Sequence, residues 1–303
     1  MISKYTYRNL IWIDLESPTE EEVRHVIDNY NIPDNLSQEM LDESIPSKVD
    51  LYPNFIHLIL HFPQISTSSD KGVEKEVDFI VGNNFMVTTH YEPVDSIKEF
   101  SKTFEKDTYD DNKRENKHAG MIFFDLIKDL YINSRRQLHT INLSLKDVEN
   151  KIFEGKEGEM VEKISNINRT LLDFRQALRF HKNILISFEN HAKKFFGEEF
   201  NPHIISIINE YNKTNTILDG HKEILDDLRN TNDSLLANKT KETMKILTII
   251  TFLISPVAVI SNIFVINSSF LKINNPNYYY LVLLFMFVAS LITYFYIKSK
   301  KWL

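Results

Sequence analysis

The stretch Asn238-Lys-Thr-Lys-Glu-Thr-Met-Lys-Ile-Leu-Thr-Ile-Ile-Thr-Phe-Leu-Ile-Ser-Pro256 passes from a charged run into an apolar one with no helix-breaking residue before its last position. The apolar run extends over 246–266 and closes with Phe264-Val265-Ile266-Asn267. A polar segment, 267–277, separates it from a second apolar run, 278–297, and the chain ends Lys298-Ser-Lys-Lys-Trp-Leu303. Each run is about 20 residues, which at about 1.5 Å per residue covers the roughly 30 Å of a bilayer core. Neither contains a charged residue. A buried helix pair in a soluble domain would keep a polar face, and these runs hold only scattered Ser, Thr and Asn. Lys239, Lys241 and Lys245 precede the first run; Lys298, Lys300 and Lys301 follow the second. Both clusters lie at the same end of the hairpin, so the positive-inside rule makes 298–303 a basic cytoplasmic tail and 267–277 an extracytoplasmic loop.

Outward from the hairpin the chain reads as a large soluble part. Its opening residues, Met1-Ile-Ser-Lys-Tyr-Thr-Tyr-Arg8, lack an apolar run, so no leader is expected and both termini should be cytoplasmic, in a multi-pass cell-membrane protein. The 303 residues include no cysteine, which excludes disulfides, thiolate metal sites and cysteine nucleophiles. A formal net charge of −7 argues against nucleic acid as a partner and is compatible with cations. No phosphate-cradling glycine loop or nucleophile–base pair is present, so an enzyme is not expected and no cofactor is called for.

Residues 1–115 alternate strand and helix signals. A buried strand is expected at 10–14. Ser17-Pro18-Thr19-Glu20 reads as a capping box with proline at the first helical position, starting a helix that runs to about Tyr30. A short helix at 35–42, a strand at 55–62, a polar linker at 66–72 and a hairpin of 77–81 with 85–89, turned by Gly82-Asn83-Asn84, follow. A helix at 94–106 and a polar loop at 107–117 close this part. The expected class is α+β, with a cytosolic domain layered α/β/α. Residues 116–200 read as antiparallel helices. One ends at Gly155 and Gly158, and a second, 159–196, ends at Gly197. Asn201-Pro202 then starts a stalk helix over 201–245, uninterrupted until Pro256, which is expected to kink it inside the membrane.

Ile204, Tyr211, Leu218 and Leu225 recur every seven residues along the stalk. Ile207, Leu228 and Leu235 share a second register with Thr214 and His221. Such a diluted heptad seam suits parallel packing of several copies about one axis. It also suits antiparallel packing on the two preceding helices, and the two can hold on different faces.

The chain resembles the CorA family of divalent-cation channels over nearly its whole length. The resemblance rests on the Asn-Lys-x-x-Glu-x-Met-Lys-x-Leu-Thr…Pro pattern of residues 238–256, on Lys300-Lys-Trp-Leu303, and on Trp12-Ile-Asp-Leu and Val49-Asp-Leu-Tyr in the first domain. It implies a funnel-shaped homopentamer, surrounded by membrane lipid, that conducts Mg2+, or Co2+, Ni2+ or Zn2+, passively down the membrane potential. The first membrane helices would line the pore, and acidic residues between cytosolic neighbours would sense ions. The family's outer mouth is Gly-Met-Asn, its asparagine ring contacting the hydrated ion; here Val265-Ile266-Asn267 stands in its place, leaving Asn267 as the outer-shell ligand. Alignment on Met244, Leu247 and Pro256 puts Lys241 where many members have a pore-facing asparagine, and puts Ser255 and Ala258 at pore-lining positions; Asn262, one turn above Ala258, would add an amide ring, since an amide facing lipid is costly. A lysine ring disfavours cations, unless Lys241 turns outward or pairs with Glu242 of a neighbour. The outer loop carries Lys272 and no acidic residue.

Glu92 and Asp95 are the nearest equivalents of the family's regulatory acids. His57 and His61 share one face of a strand but lie roughly 13 Å apart, too far to share a metal; they read as ordinary sheet residues. The acids at 107–111 read as a solvated loop. Three readings follow: a divalent-cation channel, a channel of altered selectivity, and a non-conducting membrane-anchored scaffold or regulatory subunit.

Overall fold

Alternation along Leu10–Glu16 sends Trp12 and Asp14 to one face of a sheet and Ile13 and Leu15 to the other, and both faces are covered. The computed structural model describes residues 1–43, 47–65, 72–107, 118–267 and 277–299. Most of the expected linker at 66–72, most of the loop at 107–117, the outer loop with Lys272, and Lys300 to Leu303 lie outside the described residues. The chain divides into two units, Met1–Arg229 and Asn230–Leu303.

In the first unit six strands form one sheet: β1 (Ile2–Tyr7), β2 (Leu10–Glu16), β3 (Lys48–Leu51), β4 (Phe55–Ile65), β5 (Gly72–Gly82) and β6 (Phe85–His90). Their order is β1-β2-β6-β5-β4-β3, antiparallel except where β2 runs parallel to β6. Helix α1 (Glu20–Tyr30) and the segment after it cover one face: Val23, Val26, Ile27, Leu36 and Met40 pack on Ile13, Leu15, Ile80 and Val87. On the other face Trp12 meets Phe100 and Phe104 of α2 (Asp95–Asp107) at ring distances of 5.2 and 5.7 Å. Phe79 meets Phe123 of α3 (Gly120–Phe153) at 5.2 Å. Each such fully buried side chain contributes about 1.5–3 kcal/mol. The expected α/β/α layering is therefore the observed one.

Local details differ from the sequence reading. The capping box of α1 is Thr19 with Glu22, two residues later than expected; Thr19 Oγ1 accepts from the Glu22 amide, and Glu22 accepts from the Thr19 amide. Ser17 instead takes a left-handed φ of 44° and donates its hydroxyl to the Tyr91 carbonyl. The helix expected at 35–42 is a single 3-10 turn, Asp34–Leu36, followed by turns. There the Tyr91 hydroxyl donates to the carbonyls of Glu39 and Asp42, drawing them toward the sheet. The edge strands β1 and β3 were not expected as strands; both are only partly buried and carry little apolar alternation. The helix expected over 159–196 is two, α4 (Glu157–Leu178) and α5 (His181–Phe196).

The break between α4 and α5 delivers His181 to the sheet. Its ring is fully buried; Nδ1 accepts from the Tyr131 hydroxyl at 2.7 Å and Nε2 donates to the His61 carbonyl at 2.9 Å. One acceptor and one donor define a neutral imidazole, and burial pushes its pKa down to about 3. A histidine whose folded value is depressed contributes stability that is complete above the unfolded value near 6.5 and is lost as pH falls toward the folded one. Thermal melts should therefore show a loss on the order of 1 kcal/mol per pH unit below about pH 6. His181→Asn should reduce that slope while lowering stability at pH 8.

The seam of α6 (Asn201–Asn267) is buried inside the first unit: Ile204, Ile207, Tyr211, Thr214, Leu218 and Leu225 are all nearly inaccessible. Arg135 of α3 pairs with Glu210 at 2.5 Å, Tyr131 meets Tyr211, and Lys222 donates to Asn168 of α4 at 2.8 Å. Within one chain, then, the heptads serve the antiparallel packing. Ile205, Ile217 and Ile224 remain exposed on α6.

In the second unit α6 continues without interruption through Pro256, and α7 (Asn277–Ser299) follows. Both are long and apolar enough to cross a membrane. Leu281, Leu284, Phe285, Phe287, Ile292 and Tyr296 of α7 are more than half exposed, a surface suited to lipid and not to water.

Candidate functional site

The apolar part of α6 has two unlike faces. Ile249, Leu253, Pro256, Val257 and Ile260 are half-buried and recur at helical spacing. On α7 the half-buried or buried residues are Val282, Met286, Ala289, Ser290, Thr293 and Ile297, again one stripe. The Ser290 hydroxyl donates to the Leu253 carbonyl at 3.4 Å, joining the two stripes. Small residues at Ala289 and Ser290 suit close approach of membrane helices.

The opposite face of α6 carries the sequence-predicted residues. At about 100° per residue, Met244, Thr251, Ser255, Ala258 and Asn262 cluster roughly 180° from the α7-covered stripe. All are exposed in the single chain, as are Leu247 and Lys241. Lys241, Thr248, Ser255 and Asn262 form a heptad row that is polar throughout; Met244, Thr251 and Ala258 form the neighbouring row. Asn267 is the last residue of α6.

Thr248 and Thr251 join this face although the motif alignment did not single them out; the seven-residue spacing was the available signal. The Thr248 hydroxyl donates to the Met244 carbonyl at 2.7 Å, and that of Thr251 to the Leu247 carbonyl at 2.9 Å. Spending the hydroxyl proton on the backbone leaves the oxygen lone pairs directed away from the helix. The face thus offers acceptors, which suit a cation or its water shell. Pro256 supplies no amide to the Phe252 carbonyl one turn earlier.

The two acids considered for regulation are both exposed. Glu92 pairs with Lys75 at 3.5 Å, and Asp95 begins α2 and accepts from Gln64 at 3.4 Å. Among the described residues they do not fall into a ligating cluster. Among the described residues the one such group is Glu39, Asp50 and His57. His61 lies apart from it, 3.2 Å from Glu76, with Ser47 on its other nitrogen.

Comparison with known proteins bears on the family and the fold. Residues 7–300 match the family described as CorA-like Mg2+ transporter protein. The cobalt/magnesium transport protein CorA of Methanocaldococcus jannaschii is 24% identical over 310 residues, covering 100% of this chain and 94% of its own. Its namesake in Thermotoga maritima is 22% identical, covering 96% of this chain and 83% of its own. The complete structure of the Methanocaldococcus jannaschii CorA magnesium transporter superimposes with a TM-score of 0.83 at 22% identity, over 99% of this chain and 94% of that one. Full-length CmaX superimposes with a TM-score of 0.74 at 14% identity, over 97% and 89%. The chain belongs to the CorA-like Mg2+ transporter family and is a divalent-cation transporter of that family rather than an enzyme.

Proposed function

We propose that five copies of this chain form a channel in the cell membrane that passes Mg2+ passively, with Co2+ as a second substrate, along an axis lined by α6. The observation that carries this reading is the acceptor stripe of Thr248, Thr251, Ser255 and Asn262 on the face of α6 turned away from α7. Lipid would leave that stripe unsatisfied, whereas a water-filled axis between copies would not. The exposed Ile205, Ile217 and Ile224 give neighbouring copies an apolar surface further down the same helix. The relatives' names, cobalt/magnesium transport protein, support the choice of ions.

Mg2+ sheds water reluctantly, so amide and hydroxyl rings can hold its hydrated form. Asn267 would contact that water shell at the outer mouth, and Asn262, Ser255, Thr251 and Thr248 would follow inward. Ala258, in the neighbouring row, offers no polar group, and Leu247 and Met244 would form the narrow apolar end. With the lysine clusters cytoplasmic, a membrane potential supplies about 2.3 kcal/mol per charge per 100 mV, and twice that for a divalent ion. Lys241 favours a second reading, altered selectivity: it stands in the same heptad row as Thr248, so five ammonium groups would ring the cytoplasmic end.

The chain has no native cysteine, so single cysteines can be introduced without background. Cysteine at 251, 255, 258 or 262 should let a small thiol reagent block divalent flux in proteoliposomes. Cysteine at 249, 253 or 260 should not. A block that ignores this division places the water path elsewhere.

A further inference from the structure

On the α1 face of the sheet, β3 pairs with β4 so that Asp50 lies opposite His57. Glu39 reaches the same place from the segment between α1 and β3. One carboxylate oxygen from each acid and one ring nitrogen lie within 4.8 Å of one another. His57 is fully buried, and neither of its ring nitrogens makes a hydrogen bond; Glu39 Oε2 stands 3.8 Å from Nδ1. A buried imidazole with both nitrogens idle is a rare arrangement, because buried polar groups are almost always paired. Lys48 holds the acids meanwhile: its Nζ is 2.9 Å from Glu39 Oε1, 2.8 Å from Oε2 and 2.7 Å from Asp50 Oδ2. That side chain is 30% exposed, on an edge strand, so it has a path to solvent. A single positive charge thus sits between two carboxylates and does nothing for the imidazole.

We propose that Glu39, Asp50 and His57 form a binding site for a divalent transition-metal ion, Co2+, Ni2+ or Zn2+, with Lys48 holding the carboxylates when the ion is absent and swinging to solvent when it binds. The donor set decides the class of ion. Two carboxylates and a neutral imidazole, completed by water, suit a borderline metal in a four-coordinate site. Mg2+ asks for six oxygens in near-octahedral geometry. A burial-depressed histidine, its value pushed down to about 4, presents a free nitrogen at neutral pH without first losing a proton. The site lies wholly in the first unit and requires nothing of the α6 stripe, so its fate and that of the channel reading are separable.

The test uses full-length protein in detergent, stripped with chelator and titrated with Co2+ alone. Visible cobalt absorption reports the nitrogen-containing site. Wild type should show a saturable band that excess Mg2+ does not displace. Asp50→Asn and His57→Gln should each weaken cobalt binding at least about tenfold. Lys48→Met, which removes the competing charge, should tighten it by about tenfold. The Lys48 variant guards against misfolding as an explanation, since a gain of affinity needs a folded site. No saturable band in wild type, a band unaltered in Asp50→Asn and His57→Gln, or equal displacement by Mg2+ would overturn the proposal.

Discussion

Replacing Lys241 with asparagine should raise divalent-cation flux between about tenfold and a hundredfold. With five ammonium groups roughly 8 Å from a pore axis, each repels a divalent ion by about 1 kcal/mol in bulk water. Screening over a Debye length near 8 Å cuts the sum of five to about 2 kcal/mol. That is enough to account for the expected change in rate, and an asparagine ring would add acceptors as well. The flux of the wild type should accordingly rise with ionic strength, and that of Lys241→Asn should be nearly indifferent to it. Equal flux in both proteins would place the lysine off the axis, turned outward or paired with Glu242 of a neighbour.

Replacing Asn267 with alanine should reduce Mg2+ and Co2+ influx into proteoliposomes by roughly a hundredfold. Hydrogen bonds to an ion's charged water shell are worth about 1.5 kcal/mol or more each, and the ring loses several at once. Asn267→Gln, which keeps the amide, should retain part of the flux. Since valine and isoleucine stand at 265 and 266, Asn267 is the one polar side chain closing the apolar run. Unchanged influx in Asn267→Ala would remove it from the ion path and leave Asn262 as the outermost amide.

Much of the architecture could be read from local pattern. The membrane hairpin follows from two uncharged runs of spanning length, and the β5–β6 turn from Gly82-Asn83-Asn84. Gly82 is needed there, since a Cβ would meet the Phe85 ring at 2.4 Å. What escaped was set by distant partners. Nothing near Arg179 and Phe180 breaks a helix; the interruption coincides with the docking of His181 onto Tyr131 and the His61 carbonyl. Edge strands β1 and β3 carry weak alternation because each lacks a neighbour on one side. Heptads along α6 told which face would be buried, not which helix would cover it. The partners of His57 come from residues 39 and 50, contributed by other elements, so spacing along β4 pointed only to the distant His61. On the face of α6 turned away from α7, Thr248 and Thr251 were legible as period, while the direction of their lone pairs emerged only with the backbone bonds they make.

The central claim is that this chain conducts divalent cations along the α6 stripe. The most direct measurement is ion-by-ion influx into proteoliposomes under an imposed inside-negative potential, with the oligomer sized in parallel. The account predicts a pentamer that passes Mg2+ and Co2+ and whose flux stops when the potential is collapsed. A well-formed pentamer that passes neither ion, in the wild type and in Lys241→Asn alike, would contradict it and leave a membrane-anchored scaffold in its place.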